Sequence, residues 1–155
     1  MKETDLKYCY KYPHPAVTTD SVVFAMDEGK LKVLLIKRGR EPFKDCWAFP
    51  GGFLNPDETA EEGARRELME ETGLVVDNLT QFHTFTDPAR DPRERVISIA
   101  YYAEISLQKV KGADDAAEAR WFAVDDLPPL AFDHNLILSM ALEFRSEELT
   151  EYPSK

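Results

Sequence analysis

The stretch Gly51–Leu74, GGFLNPDETAEEGARRELMEETGL, decides how the rest of the chain is read. Thr59 with Glu62 three residues later has the form of a capping box, and Gly73 stands where a helix closes on a left-handed residue. The spacing therefore predicts a helix over Ala60–Thr72. Within it Glu67, Glu70 and Glu71 occupy positions i, i+3 and i+4 and, at about 100° per residue, share one arc of roughly 100°. Like charges at this spacing cost a few tenths of a kcal/mol each, and acids in the last turn oppose the helix dipole by about 0.3–1 kcal/mol each. The pattern thus predicts a compensating positive charge. Ala60, Ala64 and Leu68 form the apolar stripe, with Glu67 and Glu71 beside it, so these two carboxylates are expected to point toward the body of the protein. Hard oxygen ligands converging from one helix suit Mg²⁺ or Mn²⁺, whose coordination is commonly completed by water and phosphate oxygens. The Gly51-Gly52 pair permits a tight turn that brings a carbonyl near such an ion. A solvated acidic face is the alternative.

Gly52, Glu58, Arg66, Glu67, Leu68, Glu70, Glu71, Gly73 and Leu74 together resemble the Nudix box at every defined position. The resemblance implies a domain of α/β (α+β) class, an αβα sandwich around a mixed sheet, that hydrolyses a nucleoside diphosphate linked to another moiety. It implies Mg²⁺ as cofactor, with Mn²⁺ as a substitute, held by Glu67, Glu70, Glu71 and the Gly52 carbonyl. Arg66 would orient the glutamates as part of the catalytic set, and Glu58 would brace the loop. Read without the resemblance, Arg66 pairs with Glu62 at i,i+4, and Glu58 is an acid favoured at a helix start.

The 155 residues suit one domain with a sizeable core, and leave no room for a second. The expected organisation is an arm over 1–15, the domain over 16–146 and a tail over 147–155. A formal net charge of −10 argues against nucleic-acid or anionic-membrane partners, and means that an anionic substrate needs local rescue by metal and arginine. Cys9 and Cys46 have no metal-ligand spacing, the N-terminal residues are too charged for a signal peptide, and no apolar run could span a bilayer. A cytoplasmic protein with reduced thiols is the expectation.

Along the chain, Tyr8–Tyr12 reads as a short strand or arm, interrupted by Pro13 and Pro15. Ala16–Met26 and Leu31–Lys37, joined by Asp27-Glu28-Gly29-Lys30, predict a hairpin. Lys37-Arg38-Gly39-Arg40 is a basic loop, suited to a solvated turn or to phosphate. Trp47 is expected in the core. Leu79–Thr86 and Val96–Ile105 predict strands, separated by an Asp87–Arg95 segment too rich in Pro and charge to be ordered by burial. Arg90, Arg93 and Arg95 there suit either salt bridges or a diphosphate. A short strand is expected over Ala119–Phe122. Asp133 is expected to cap a last helix over His134–Phe144, with Leu136, Ile137, Met140, Ala141 and Phe144 as its packed face.

By resemblance, the loop before the short strand supplies a further acid to the metal site, with Asp114, Asp115 and Glu118 as candidates. A narrower resemblance, carried by Lys37-Arg38, Trp47–Phe53, Asp87-Pro88, Arg90–Arg93, Trp121-Phe122 and Ala131–His134, is to the ADP-ribose pyrophosphatase branch of the Nudix group. It implies ADP-ribose plus water giving AMP and ribose 5-phosphate. Arg38, Arg90 and Arg93 would then contact phosphates or ribose, Phe132 and His134 would border the pocket, and the protein would be a homodimer. Another nucleotide sugar or a nucleoside triphosphate, oxidised or not, is the alternative substrate, and a non-catalytic module binding ADP-ribose or a nucleotide sugar is the alternative of another class. Divalent ions would offset the charge of the diphosphate and activate water, so no side-chain nucleophile is required.

Overall fold

A computed structural model describes residues 8–111 and 118–151. The hairpin forms as expected: β1 (Ala16–Asp27) and β2 (Lys30–Lys37) are joined through Glu28 and Gly29, both in the left-handed region. The two strands pair only along Phe24–Asp27 and then diverge. Two short strands that the sequence did not reveal fill the gap: β3 (Trp47–Ala48) pairs with β2, and β4 (Gly51–Phe53) pairs with β1. The glycine pair is therefore fixed between two long strands.

On its other edge β1 runs parallel to β6 (Val96–Glu104), which pairs antiparallel with β5 (Thr80–Phe85), while β7 (Glu118–Ala123) lines the far edge of β2. The result is a mixed seven-stranded sheet. Residues Thr19–Ala25 of β1 are buried without a break, because both faces of the central strand are covered. On one face Val23 and Leu34 pack with Ala64 and Leu68 of α1 (Ala60–Thr72). On the other, Val22, Phe24, Val33, Leu35 and Trp47 pack with Ile137, Leu138 and Ala141 of α2 (His134–Glu151). A helix against each face gives the expected αβα sandwich.

The last helix runs seven residues beyond its expected end at Phe144, and Leu136 faces solvent while Leu138 takes the buried place. Tyr8–Pro15 contains no strand and is exposed. Among the described residues no helix is long and apolar enough to cross a membrane.

Candidate active site

α1 starts and ends as its sequence dictates. Thr59 Oγ1 accepts the Glu62 N–H at 3.2 Å, Glu62 accepts the Thr59 N–H at 2.9 Å, and Gly73 closes the helix at φ 78°. Because Glu62 is committed to the cap, the alternative i,i+4 pair with Arg66 does not form. Arg66 instead donates from Nε and Nη2 to Glu58 at 2.9 and 2.6 Å, and from Nη1 to Glu67 at 2.9 Å and Glu70 at 3.2 Å. One guanidinium thus ties the loop to two of the three helix acids. Glu58 also accepts the Asn55 N–H at 2.8 Å, and the Arg66 fork foremost holds its carboxyl down at about 2. The brace is charge-assisted and geometrically fixed.

Glu67 and Glu71 point inward, and Glu70 is the exposed member of the three. Burial pushes the Glu71 carboxyl up to about 8, although the Gly51 N–H donates to it at 2.8 Å; Glu67 and Asp20 nearby add to the rise. Glu67 is raised as well, chiefly by burial and against the pull of Arg66. A Cβ on Gly52 would lie 2.6 Å from Glu67 Oε1, so the missing side chain makes room for that carboxylate. Among the described residues no three His, Cys, Asp or Glu side chains already stand in metal-holding geometry: Glu67 and Glu70 lean on Arg66, and Glu71 leans on Gly51. Glu71 is an inward acid with no cation partner among the described residues, and the hard oxygen donors of all three fit a divalent ion.

These glutamates line one wall of a cavity of about 440 Å³, and Arg38, Arg40, Arg90 and Arg93 also line it. Arg38 donates from Nε to the Pro42 carbonyl at 2.8 Å and stacks on Phe132, 4.8 Å from the ring centre. Its pKa is lowered by desolvation first and by the Arg93 charge second. Arg93 pairs with Asp91 through two bonds of 3.1 and 2.8 Å and lies over the rings of Phe53 and Phe132. Arg90 spends its fork on Asp133, at 2.9 and 2.8 Å. Asp133 consequently does not cap α2 with its side chain; only its carbonyl starts the helix, because the guanidinium holds the carboxylate. The same ion pairs order the Asp87–Arg95 segment that burial alone would leave loose.

Phe132 lines the cavity with φ at 48°, and Phe43 packs against it at 4.8 Å with φ at 60°. Left-handed backbone at bulky residues costs on the order of 1–3 kcal/mol each and is concentrated at functional sites. His134 reaches the cavity only from beneath: it is buried, stacked on Phe49, and accepts the Phe49 N–H on Nδ1 at 3.1 Å. Burial depresses its pKa despite the nearby Asp20.

The NUDIX domain family matches residues 15–140. The chain belongs to the Nudix family. It is 42% identical over 146 residues to the ADP-ribose pyrophosphatase of Methanocaldococcus jannaschii, covering 94% of this chain and 84% of that protein. It is 35% identical to the ADPR responsive transcriptional repressor NtrR of Acinetobacter baylyi, covering 84% of this chain and 54% of the repressor. Among solved structures, the NUDIX domain of Shewanella oneidensis NrtR complexed with ADP ribose superposes with a TM-score of 0.82 at 32% identity, covering 92% of this chain and 98% of that one.

Among the cavity-lining residues not expected from the sequence, Asp20 and Phe53 stand out. Asp20 lines the cavity from the middle of β1, and the signal was an acid inside an otherwise uncharged strand run. Phe53, exposed at the cavity, directly follows the glycine pair. Of the loop acids, Asp114 and Asp115 lie outside the described residues. Glu118 stands on β7 opposite Lys37, paired with Arg120 at 2.9 Å, and is not among the residues that line the cavity.

Proposed function

We propose that this Nudix protein is an Mg²⁺-dependent pyrophosphatase that cleaves ADP-ribose with water to AMP and ribose 5-phosphate. The observation that carries this reading is that one cavity is lined both by Glu67, Glu70 and Glu71 and by the guanidinium groups of Arg38 and Arg93. A diphosphate needs both: cations shared with the glutamates on one side, and planar donors on the other. The similarity to an ADP-ribose pyrophosphatase along 94% of the chain supports the choice of substrate.

Glu67, Glu70, Glu71 and the Gly52 carbonyl would hold the metal, which when bound supplies positive charge to the diphosphate oxygens and Lewis acidity to the reaction. Arg66 keeps Glu67 and Glu70 in register with the loop, and the Gly51 N–H fixes one oxygen of Glu71. Glu70, the most exposed of the three, accepts the proton of the attacking water. Arg38 meets a phosphate with the edge of its guanidinium while Phe132 supports its face, and Arg93 with Phe53 borders the remainder of the ligand. Arg90 acts as a brace. The active form is a homodimer.

The test incubates purified protein and Mg²⁺ with ADP-ribose, UDP-glucose, NADH, diadenosine polyphosphates and 8-oxo-dGTP. ADP-ribose is expected to give the highest kcat/KM, and Glu70→Gln and Glu71→Gln to lower kcat by roughly 10²-fold or more. Rates within a factor of two of wild type in both variants would remove the assignment. The similarity to an ADPR responsive repressor favours one second reading, a binding module, and tight ADP-ribose binding without turnover of any substrate would select it.

A further inference from the structure

Asp20 sits at the centre of the sheet, next to the glycine pair in the β1–β4 register and buried against its neighbours. Its Oδ2 accepts the Ser98 hydroxyl from the parallel strand β6. Its Oδ1 faces His134 Nε2 at 3.6 Å, beyond hydrogen-bond reach, and lies 3.0 Å from where a Cβ of Gly51 would stand. The imidazole is neutral on this geometry: Nδ1 accepts the Phe49 N–H, so the ring hydrogen is on Nε2, toward Asp20. Ser98 is a neutral donor to Oδ2 and His134 a neutral ring 3.6 Å from Oδ1, so neither balances the charge of Asp20. Nothing on this side of the side chain calls for a charge.

The cavity side does. The Gly51 N–H, in register with Asp20, donates to Glu71, so the two carboxylates flank one glycine. Asp20 lines the same cavity as Glu67, Glu70 and Glu71. Three inward acids from two elements are unfavourable unless a cation is shared among them. We propose that Asp20 is a fourth carboxylate of the metal centre, contributed by β1 rather than α1, with the Ser98 hydroxyl aiming it. The inference rests on the metal-site reading above and adds a residue that the Nudix box does not contain. His134 has a positioning role beneath the site through the Phe49 N–H that it accepts, just ahead of β4.

The test is Mn²⁺ binding to the metal-free protein, read from the free-ion electron paramagnetic resonance signal without substrate. Asp20→Asn is expected to weaken Mn²⁺ binding by about 10–100-fold, while its melting temperature in EDTA stays at or above that of wild type because one buried charge is gone. Ser98→Ala keeps the charge but loosens its aim, and is expected to weaken binding several-fold. Wild-type Mn²⁺ affinity and stoichiometry in Asp20→Asn overturns the proposal, as does wild-type affinity in Ser98→Ala if Asp20→Asn fails to fold. Glu71→Gln separates the two readings. If it loses Mn²⁺ while Asp20→Asn does not, only this inference fails; if it also binds normally, the metal centre itself is misplaced.

Discussion

Gly51 and Gly52 are adjacent yet need their missing side chains for different reasons. A Cβ on Gly51 would stand 1.9 Å from the Thr19 carbonyl oxygen, which is backbone of the central strand and cannot yield. A Cβ on Gly52 would meet the tip of the Glu67 side chain, which can. Gly51→Ala is therefore expected to lower stability by about 1–3 kcal/mol or more, whereas Gly52→Ala keeps the wild-type melting temperature in EDTA and loses at least tenfold in kcat. Melting curves and turnover on the two proteins check this, and the opposite pattern would refute it. Glu71 makes a second prediction at this scale. Its folded carboxyl titrates at about 8 against an ordinary value of 4.5, so the folded state binds the proton more tightly than the unfolded chain. Its contribution to stability is full below about 4.5 and is lost as pH rises through about 8. In EDTA the melting temperature should fall between pH 5 and pH 8, and Glu71→Gln should flatten that fall. Added Mn²⁺ should restore stability at the upper end, since binding there requires the ionised form.

At the level of elements, α1 and α2 show two uses of an acid near a helix start. Thr59 and Glu62 close a local box, and it could be read directly because donor and acceptor are three residues apart. Asp133 has the right type and place for a cap, but Arg90, forty-three residues earlier in the chain, reaches it first. Two guanidinium–carboxylate bonds outweigh one bond to a backbone N–H. The arginines of the cavity therefore divide. Arg90→Ala should destabilise the protein by about 1–3 kcal/mol through the carboxylate it leaves behind, with KM little changed. Arg38→Ala should raise KM about tenfold with the melting temperature nearly unchanged, since among the described residues Arg38 makes no carboxylate pair. Steady-state kinetics beside thermal unfolding distinguish the two, and equal effects on both quantities in both variants would contradict the division.

For the whole molecule, the divergence of β1 and β2 makes the site: the gap they leave seats the glycine strand β4, whose Gly51 N–H reaches Glu71 of α1 and whose neighbour Phe49 is held by His134 at the start of α2. The exposed Tyr10 and Tyr12 and the acidic surface remain outside it. A homodimer is expected by light scattering at micromolar concentration, and a monomer mass would rule it out. Local caps, short-range periodicity and fixed spacing were enough to read α1 to the residue, the hairpin and the clustering of the three helix acids, whereas the mixed αβα sandwich was implied by the resemblance to the Nudix box. Which distant groups meet became legible only in the folded chain. It set Asp20 beside Gly51, His134 beneath Phe49, and Arg90 on Asp133, and it slid two short strands into a gap no window of sequence reveals. The physical reason is that strand register and ion-pair choice are settled by competition among residues far apart in the chain, where the partner that best neutralises a buried charge or fills a splayed sheet is known only once all are packed.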